Sequence, residues 1–425
     1  MSDFVLYNMD VFEGLKQIED ASVDCIMTSP PYWGLRDYGV PGQIGLEAHP
    51  KEWIEKMVEV SRELWRVLKP AGSYWLNVGD TYFAKRSKDE VVDEYYGPGR
   101  NGGHPRGMES DGSAWLQPKQ KMLMPHRLAI ALQDDGWILR NDCVWHKPSH
   151  MPSSVRDRLT NSFEFLFHFV IQKKYYYDLD AIREPHSAID RPPGNKEKDR
   201  ENKLFSRNPT AQQAFNPSGK NPGDAWKYER EWEEQKDKVY GNDDRDDRRS
   251  RVSAWMYTKE ATTHPLGKNP GDFWSINPAP YPEAHFACFP PALVERPLLA
   301  TCPRQVCVAC GKAREKIIDI KSNYKKREKA HVPNNCLTKV DSSGWNPPTM
   351  KLRGFSDCGC KKGFFPGIVL DPFVGSGTTL LVAQRLGLRG IGIELNPDYI
   401  PLIKKRLLGD AKQQSLNPNK LKVVA

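Results

Sequence analysis

The sequence has no apolar run long enough to cross a bilayer, so no membrane-spanning helix is expected. Its opening residues, MSDFVLYNMD, lack the basic stretch and apolar run of a secretory leader, and the expected compartment is the cytoplasm. The Gly-Lys-Ser/Thr ending of a phosphate-binding loop is missing, as is the glycine spacing of the dinucleotide fingerprint. A ligand with a phosphate chain is therefore not expected. Disulfides are not expected either: the nine cysteines are an odd number in a chain without export signals. Most crowd between Cys302 and Cys360, which points to metal. Acidic residues do not dominate: 54 Asp and Glu against 62 Lys and Arg leave a net charge of +8, a surplus that suits a polyanionic partner.

What is present is enough for two or three domains. The chain has 425 residues, 39% hydrophobic and 27% charged. Residues 4 to 83 alternate strand and helix patterns. FVLYNMD is a short strand ending at Asp10, VFEGLKQI a helix, and SVDCIMTS an apolar strand. HPKEWIEKMVEVSRELWRVLKPAG carries apolar residues at helical spacing and stops at Pro-Ala-Gly; SYWLNVGD is the next strand. Such alternation predicts a parallel, doubly wound sheet. Residues 84–118 read as a long loop. Residues 119–183 read as helix, strand, a second strand and a hairpin. Residues 366–408 form a second unit: GIVLDPF strand, VGSGTT turn, LLVAQRLG helix, RGIGIEL strand and NPDYIPLIKKRL helix.

Two local motifs carry chemistry. The strand SVDCIMTS runs into Ser29-Pro30-Pro31-Tyr32. Two prolines fix the backbone and remove two donors, leaving a rigid turn that offers a hydroxyl, bare carbonyls and an aromatic face. The second is DPFVGSGTT, where Gly375 and Gly377 allow a tight turn and Ser376 and Thr378 open a helix with free N–H groups. Glu394 ends the next strand, about 20 residues on, where a carboxylate can bond ribose hydroxyls. Together they predict a nucleoside-type ligand.

The pair TSPPY and DPFVGSGTT, followed by GIELNPDY, resembles the amino-group DNA methyltransferases that use S-adenosylmethionine. The catalytic motif precedes the cofactor motif, an order similar to their circularly permuted beta class. The resemblance implies a mostly parallel Rossmann-like sheet with a target-recognition insert. It assigns Ser29 and the Pro30 carbonyl, held by Pro31, to accept hydrogen bonds from the target amine, and Tyr32 to stack on a base flipped from the helix. Asp10, Asp371, Phe373, Phe286 and Glu394, with Gly375, Ser376, Gly377 and Thr378, become the cofactor residues, and His285 lies in the same family segment as Phe286. Each has a plainer alternative: Ser29 as turn-former, Tyr32 and Phe373 as packing, Asp10 as a helix cap, Asp371 as a cap of its turn. No Pro-Cys motif sits in a suitable setting, which argues against carbon-5 cytosine methylation.

The remaining features lie around these motifs. Cys307, Cys310, Cys358 and Cys360 bracket a basic loop and suggest a structural zinc in a small lobe; Cys302 or Cys336 are substitutes for a member. Lys147, Arg156 and Arg158 among hydroxyls suit phosphate contacts. The octapeptides GKNPGDAW at Gly219 and GKNPGDFW at Gly267 are near-identical, with no assigned role. The expected division is 1–185 as the catalytic half, 186–265 as a charged target-recognition insert, and 266–301 as the segment leading to the cofactor half. The zinc lobe follows at 302–362, the cofactor half at 363–410 and a tail at 411–425. The expected activity is transfer of methyl from S-adenosylmethionine to cytosine N4 in a specific double-stranded DNA sequence. Adenine N6 methylation, RNA or protein methylation and non-catalytic DNA binding are the alternatives. A homodimer and a cognate restriction endonuclease are further partners the resemblance allows.

Overall fold

Strands and helices alternate where apolar runs alternate with amphipathic ones. The computed structural model describes residues 3–83, 116–150, 153, 155–184, 269–278, 289–321, 349–409 and 421–424. The strands, in chain order, are β1 (Phe4–Asn8), β2 (Val23–Thr28), β3 (Leu68–Val78), β4 (Ile138–His146), β5 (Phe163–Val170), β6 (Phe273–Ser275), β7 (Val306–Cys307), β8 (Lys316–Lys321), β9 (Thr349–Phe355), β10 (Phe364–Phe365), β11 (Ile368–Asp371), β12 (Arg389–Glu394) and β13 (Leu421–Val424). The helices are α1 (Val11–Lys16), α2 (Pro50–Val67), α3 (Met124–Asp134), α4 (Pro291–Thr301), α5 (Thr378–Arg385) and α6 (Tyr399–Leu408).

The chain divides into two units. One comprises residues 1–182, 271–314 and 357–425; the other comprises 183–270 and 315–356. The first unit contains a nine-stranded sheet in the order β13-β1-β12-β11-β2-β3-β5-β4-β6. Only the β3–β5 and β4–β5 pairings are antiparallel, so the α/β sheet is mostly parallel. One core cluster holds Leu15 of α1, Trp53, Met57 and Leu64 of α2 and Leu128 of α3. The other holds Leu293 and Leu298 of α4, Leu380 of α5 and Ile403 of α6. Each such aliphatic side chain contributes about 1.5–3 kcal/mol on burial. Asp24 ties three strands: it pairs with Lys69 of β3 at 2.7 Å and accepts from Ile368 N of β11 at 2.9 Å. In the second unit β8 and β9 form an antiparallel ribbon that exposes Ile317 and Leu352.

Four local expectations change. β3 starts at Leu68 rather than Ser73, because Leu68, at the end of α2, is already extended (φ −75°, ψ 132°) and Pro70 cannot continue a helix. After β5 there is no hairpin but one 3-10 turn at Leu179–Ala181. Phe273–Ser275, expected only as part of the segment leading to the cofactor half, extends the sheet beside β4 through Trp145↔Trp274. Leu421–Val424, read as tail, pairs in parallel with β1. Both short strands are set by a distant partner strand, which local pattern does not reveal. The charged insert, the first octapeptide, Cys336, His285 and Phe286 lie outside the described residues.

Candidate active site

The sheet order creates a divergence. β2 connects through α2 to β3 on one side, and β11 connects through α5 to β12 on the other. β2 and β11 are neighbours, so the loops leaving their carboxyl ends separate and open a crevice. A cavity of about 340 Å³ lies there. Its wall includes Asp10, Ser29, Pro30, Pro31 and Tyr32 together with Phe373, Gly375, Ser376, Thr378 and Glu394. Two motifs more than 340 residues apart thus share one cavity.

The turn wall is fixed by side chains. The indole N–H of Trp53 donates to the Pro31 carbonyl at 3.0 Å, pinning the turn to α2. Ser29 Oγ donates to Tyr32 Oη at 3.0 Å. The Tyr32 proton has two acceptors in reach, Glu164 Oε2 at 3.1 Å and Asn77 Oδ1 at 3.2 Å. Burial and the Glu164 charge hold the Tyr32 phenol well above its ordinary pKa, so it stays a neutral donor. The tyrosine ring lies against Gly79 so closely that a Cβ there would sit 2.6 Å from Cε2.

The glycine-loop wall is fixed by the backbone. Gly375 (φ 50°) and Gly377 (φ 81°) occupy the left-handed region, Gly377 as the N-cap of α5. Glu394 accepts from Gly375 N at 2.9 Å and Asn396 N at 2.8 Å. Burial raises its carboxyl to about 7 against the pull of those N–H groups, and the Asp371 charge adds to the rise. Arg406 of α6 donates to the Ser376 carbonyl and hydroxyl at 3.1 and 2.9 Å.

Three expected cofactor residues also serve the fold. Asp10 caps α1, accepting from Phe12 N at 2.8 Å, while also lining the cavity. Gly377 is part of the turn rather than the cavity wall, and its Cβ position would meet Ile403. Asp371 is buried beneath the loop: its carboxylate accepts from Thr28 and Thr379, each at 2.6 Å, and from Phe373 N at 3.1 Å. Burial pushes its carboxyl up to about 6, and these bonds hold it down. It caps its turn, which does not exclude the contact with the methionine ammonium that the resemblance implies.

Sequence reasoning missed Asn77 and Glu164, and it placed Lys147 at the DNA backbone. In the fold Lys147 pairs with Glu164 and lies 4.3 Å over the Trp145 ring, on the cavity wall. The available signal was a lone acid inside an apolar strand, FEFLFHFV. Arg158 lies 3.9 Å over the Tyr82 ring.

Cys307, Cys310, Cys358 and Cys360 converge, with all four Sγ atoms within 4.8 Å of one another. Backbone N–H groups of Cys310 and Ala309 pull the Cys307 thiol down, while hydrogen bonds within the cluster push the Cys360 thiol up. Four sulfurs around zinc stand about 3.8 Å apart at ordinary Zn–S lengths, so the donor set fits. Cys302 is buried elsewhere, its sulfur 3.0 Å from where a Gly367 Cβ would stand.

Residues 23–309 and 359–405 match the N6/N4 methyltransferase family model, described as DNA methylase. The chain is 30% identical over 403 residues to the type II methyltransferase M.SmaI of Serratia marcescens, covering 94% of this chain and 89% of the relative. It is 30% identical over 420 residues to M.XycI of Xanthomonas campestris pv. cyanopsidis, covering 99% and 91%. Among solved structures, PvuII DNA methyltransferase (cytosine-N4-specific) aligns over 99% of this chain and 92% of that chain, at 15% identity and a TM-score of 0.46.

Proposed function

The chain belongs to the N6/N4 DNA methylase family of S-adenosylmethionine-dependent amino-methyltransferases, and from that premise we propose that it methylates the exocyclic N4 amine of cytosine in a specific duplex DNA sequence. The observation that carries this reading is the single cavity walled by both the Ser-Pro-Pro-Tyr turn and the glycine loop. Serine before Pro-Pro-Tyr favours cytosine; adenine N6 is the second reading.

S-adenosylmethionine supplies an electrophilic methyl group on a sulfonium. Glu394, beside Gly375 at the end of β12, would accept hydrogen bonds from its ribose hydroxyls, Phe373 would pack beside it, Asp10 would face its adenine, and the loop around Ser376 and Thr378 would hold its methionine end. A base amine is a weak nucleophile because its lone pair is delocalised into the ring. Ser29 Oγ and the Pro30 carbonyl accept hydrogen bonds from that amine and stabilise its loss of planarity as it attacks the methyl carbon in line; the methyl–sulfur bond breaks, its electron pair stays on sulfur, and the methylated amine sheds one proton to water. The prolines keep both acceptors still, and the Tyr32 ring stacks on the flipped base. No covalent enzyme intermediate is needed.

The catalytic half precedes the cofactor half in the chain, a circularly permuted order. The four-cysteine cluster holds a structural zinc, and a metal-to-protein ratio near zero in an unchelated preparation would end that assignment. The segment 186–265 carries target recognition. The named relatives are type II methyltransferases, which supports a restriction–modification role with a cognate endonuclease. No helix among the described residues is long and apolar enough to cross a membrane. Nucleoside mass spectrometry of DNA from a methylation-free host expressing the protein tests the choice of base. N4-methylcytosine supports it; N6-methyladenine keeps the fold and mechanism and overturns the base.

A further inference from the structure

Ser29 as an acceptor poses a problem its own motif does not solve. A serine hydroxyl is donor and acceptor at once. To accept a hydrogen bond from an amine it must send its proton elsewhere, and the structure shows where. Ser29 Oγ donates to Tyr32 Oη at 3.0 Å. Tyr32 is free to accept because its own proton points away, to Glu164 Oε2 at 3.1 Å or Asn77 Oδ1 at 3.2 Å. The Asn77 amide cannot flip without loss, since its Nδ2 donates to the Phe165 carbonyl at 2.9 Å. The Glu164 carboxylate can only accept, and the Lys147 ammonium pairs with its other oxygen, Oε1. The pair is about four-fifths buried on both sides. Charge-assisted bonds of this kind are short and strong. Chains of hydrogen bonds also polarise one another along their length.

The sheet builds this line from four places. Ser29 and Tyr32 follow β2, Asn77 is in β3, Glu164 begins β5 and Lys147 follows β4. The register Trp145↔Glu164 in the β4–β5 pair makes Lys147 a same-face diagonal neighbour of Glu164. Gly79 lets the Tyr32 ring approach closely enough to join them.

We infer that Glu164, held by Lys147, is a positioning residue that orients the Tyr32 hydroxyl and so turns the lone pairs of Ser29 towards the substrate amine. No proton is transferred along the line; each hydroxyl keeps its own. The inference rests on the reading of Ser29 as the amine's acceptor. It also separates two roles for Tyr32. A stacking platform needs only the ring, whereas this arrangement needs the hydroxyl.

The test is steady-state methyl transfer by the full-length protein to duplex DNA with a labelled methyl donor, alongside cofactor binding and melting curves. Glu164→Gln and Tyr32→Phe are each expected to lower kcat by about ten- to hundredfold, leaving cofactor Kd and DNA KM unchanged; Tyr32→Phe also leaves melting unchanged, whereas Glu164→Gln lowers it by stranding the Lys147 ammonium. The double variant is expected to fall no more than about threefold below either single one, since the same line is already cut. Lys147→Met lowers kcat and Lys147→Arg restores most of it. A Tyr32→Phe enzyme with wild-type kcat, or single losses that multiply in the double variant, would overturn the inference. Should Glu164→Gln fail to fold, Tyr32→Phe with the Lys147 pair decides the matter alone. A Ser29→Ala enzyme that turns over like wild type would instead sink the reading of Ser29 on which the inference stands.

Discussion

The two walls of the cavity are built by different means. On the turn wall, side chains hold side chains: Ser29, Tyr32, Asn77, Glu164 and Lys147 meet from four segments of the sheet. On the glycine wall, backbone N–H groups hold a carboxylate: Gly375 and Asn396 both donate to Glu394. The first wall is a set of oriented dipoles, suited to a reaction that must polarise a weak nucleophile. The second is a short local loop, suited to gripping a nucleoside. Changes on the first should therefore act on turnover, and changes on the second on cofactor affinity.

The largest break is Ser29→Ala. It removes the acceptor without touching the glycine loop, and single-turnover methyl transfer should fall about 10²–10³-fold. Gly79→Ala comes next. Its new methyl group would meet Tyr32 Cε2 at 2.6 Å and push the ring from its seat. Turnover should fall about ten- to hundredfold, as small misplacements do, with cofactor affinity unchanged in a direct binding titration. Glu394→Gln sharpens the other side. Cofactor Kd should rise about tenfold or more, while kcat at saturating cofactor changes little.

The same residue gives the glycine wall a pH dependence. Burial raises the Glu394 carboxyl to about 7, and on the proposed reading ribose hydroxyls would donate best to its ionised form. Raising pH through that value increases the carboxylate fraction, so affinity should be about tenfold weaker at pH 6 than at pH 8. Calorimetric titration at the two pH values checks this, and Glu394→Gln should flatten the difference. The smallest effect belongs to neither wall. Val423→Asp in β13, at the edge of the sheet, should cost about 1 kcal/mol by denaturant melting and leave both kinetic constants unchanged.

The difference between the walls also explains what was legible in the sequence. The glycine wall is nearly local: Asp371 to Thr379 and Glu394 lie within one strand–turn–helix–strand unit, and their order along the chain announces the turn. Ser29 to Tyr32 was legible for the same reason. Asn77, Glu164 and Lys147 were not, because only the strand order β2-β3-β5-β4 brings them to the turn. Their one trace was a charge in an apolar strand, and Lys147 by itself reads as a solvated cation. Asp371 shows the converse limit. Its place beside the motif was clear, but the threonines Thr28 and Thr379 that share its two oxygens come from elsewhere in the fold and could not be read beside it. β6 and β13 escaped because a short strand is defined by its partner more than by its own residues.

The most direct test is a calorimetric titration of S-adenosylmethionine into the Ser29→Ala protein, run beside the wild type. If turnover and cofactor grip belong to separate walls, the variant binds with wild-type affinity while its methyl transfer falls about 10²–10³-fold. Loss of cofactor binding in this variant, with its melting curve intact, would contradict the division and make Ser29 part of the cofactor site.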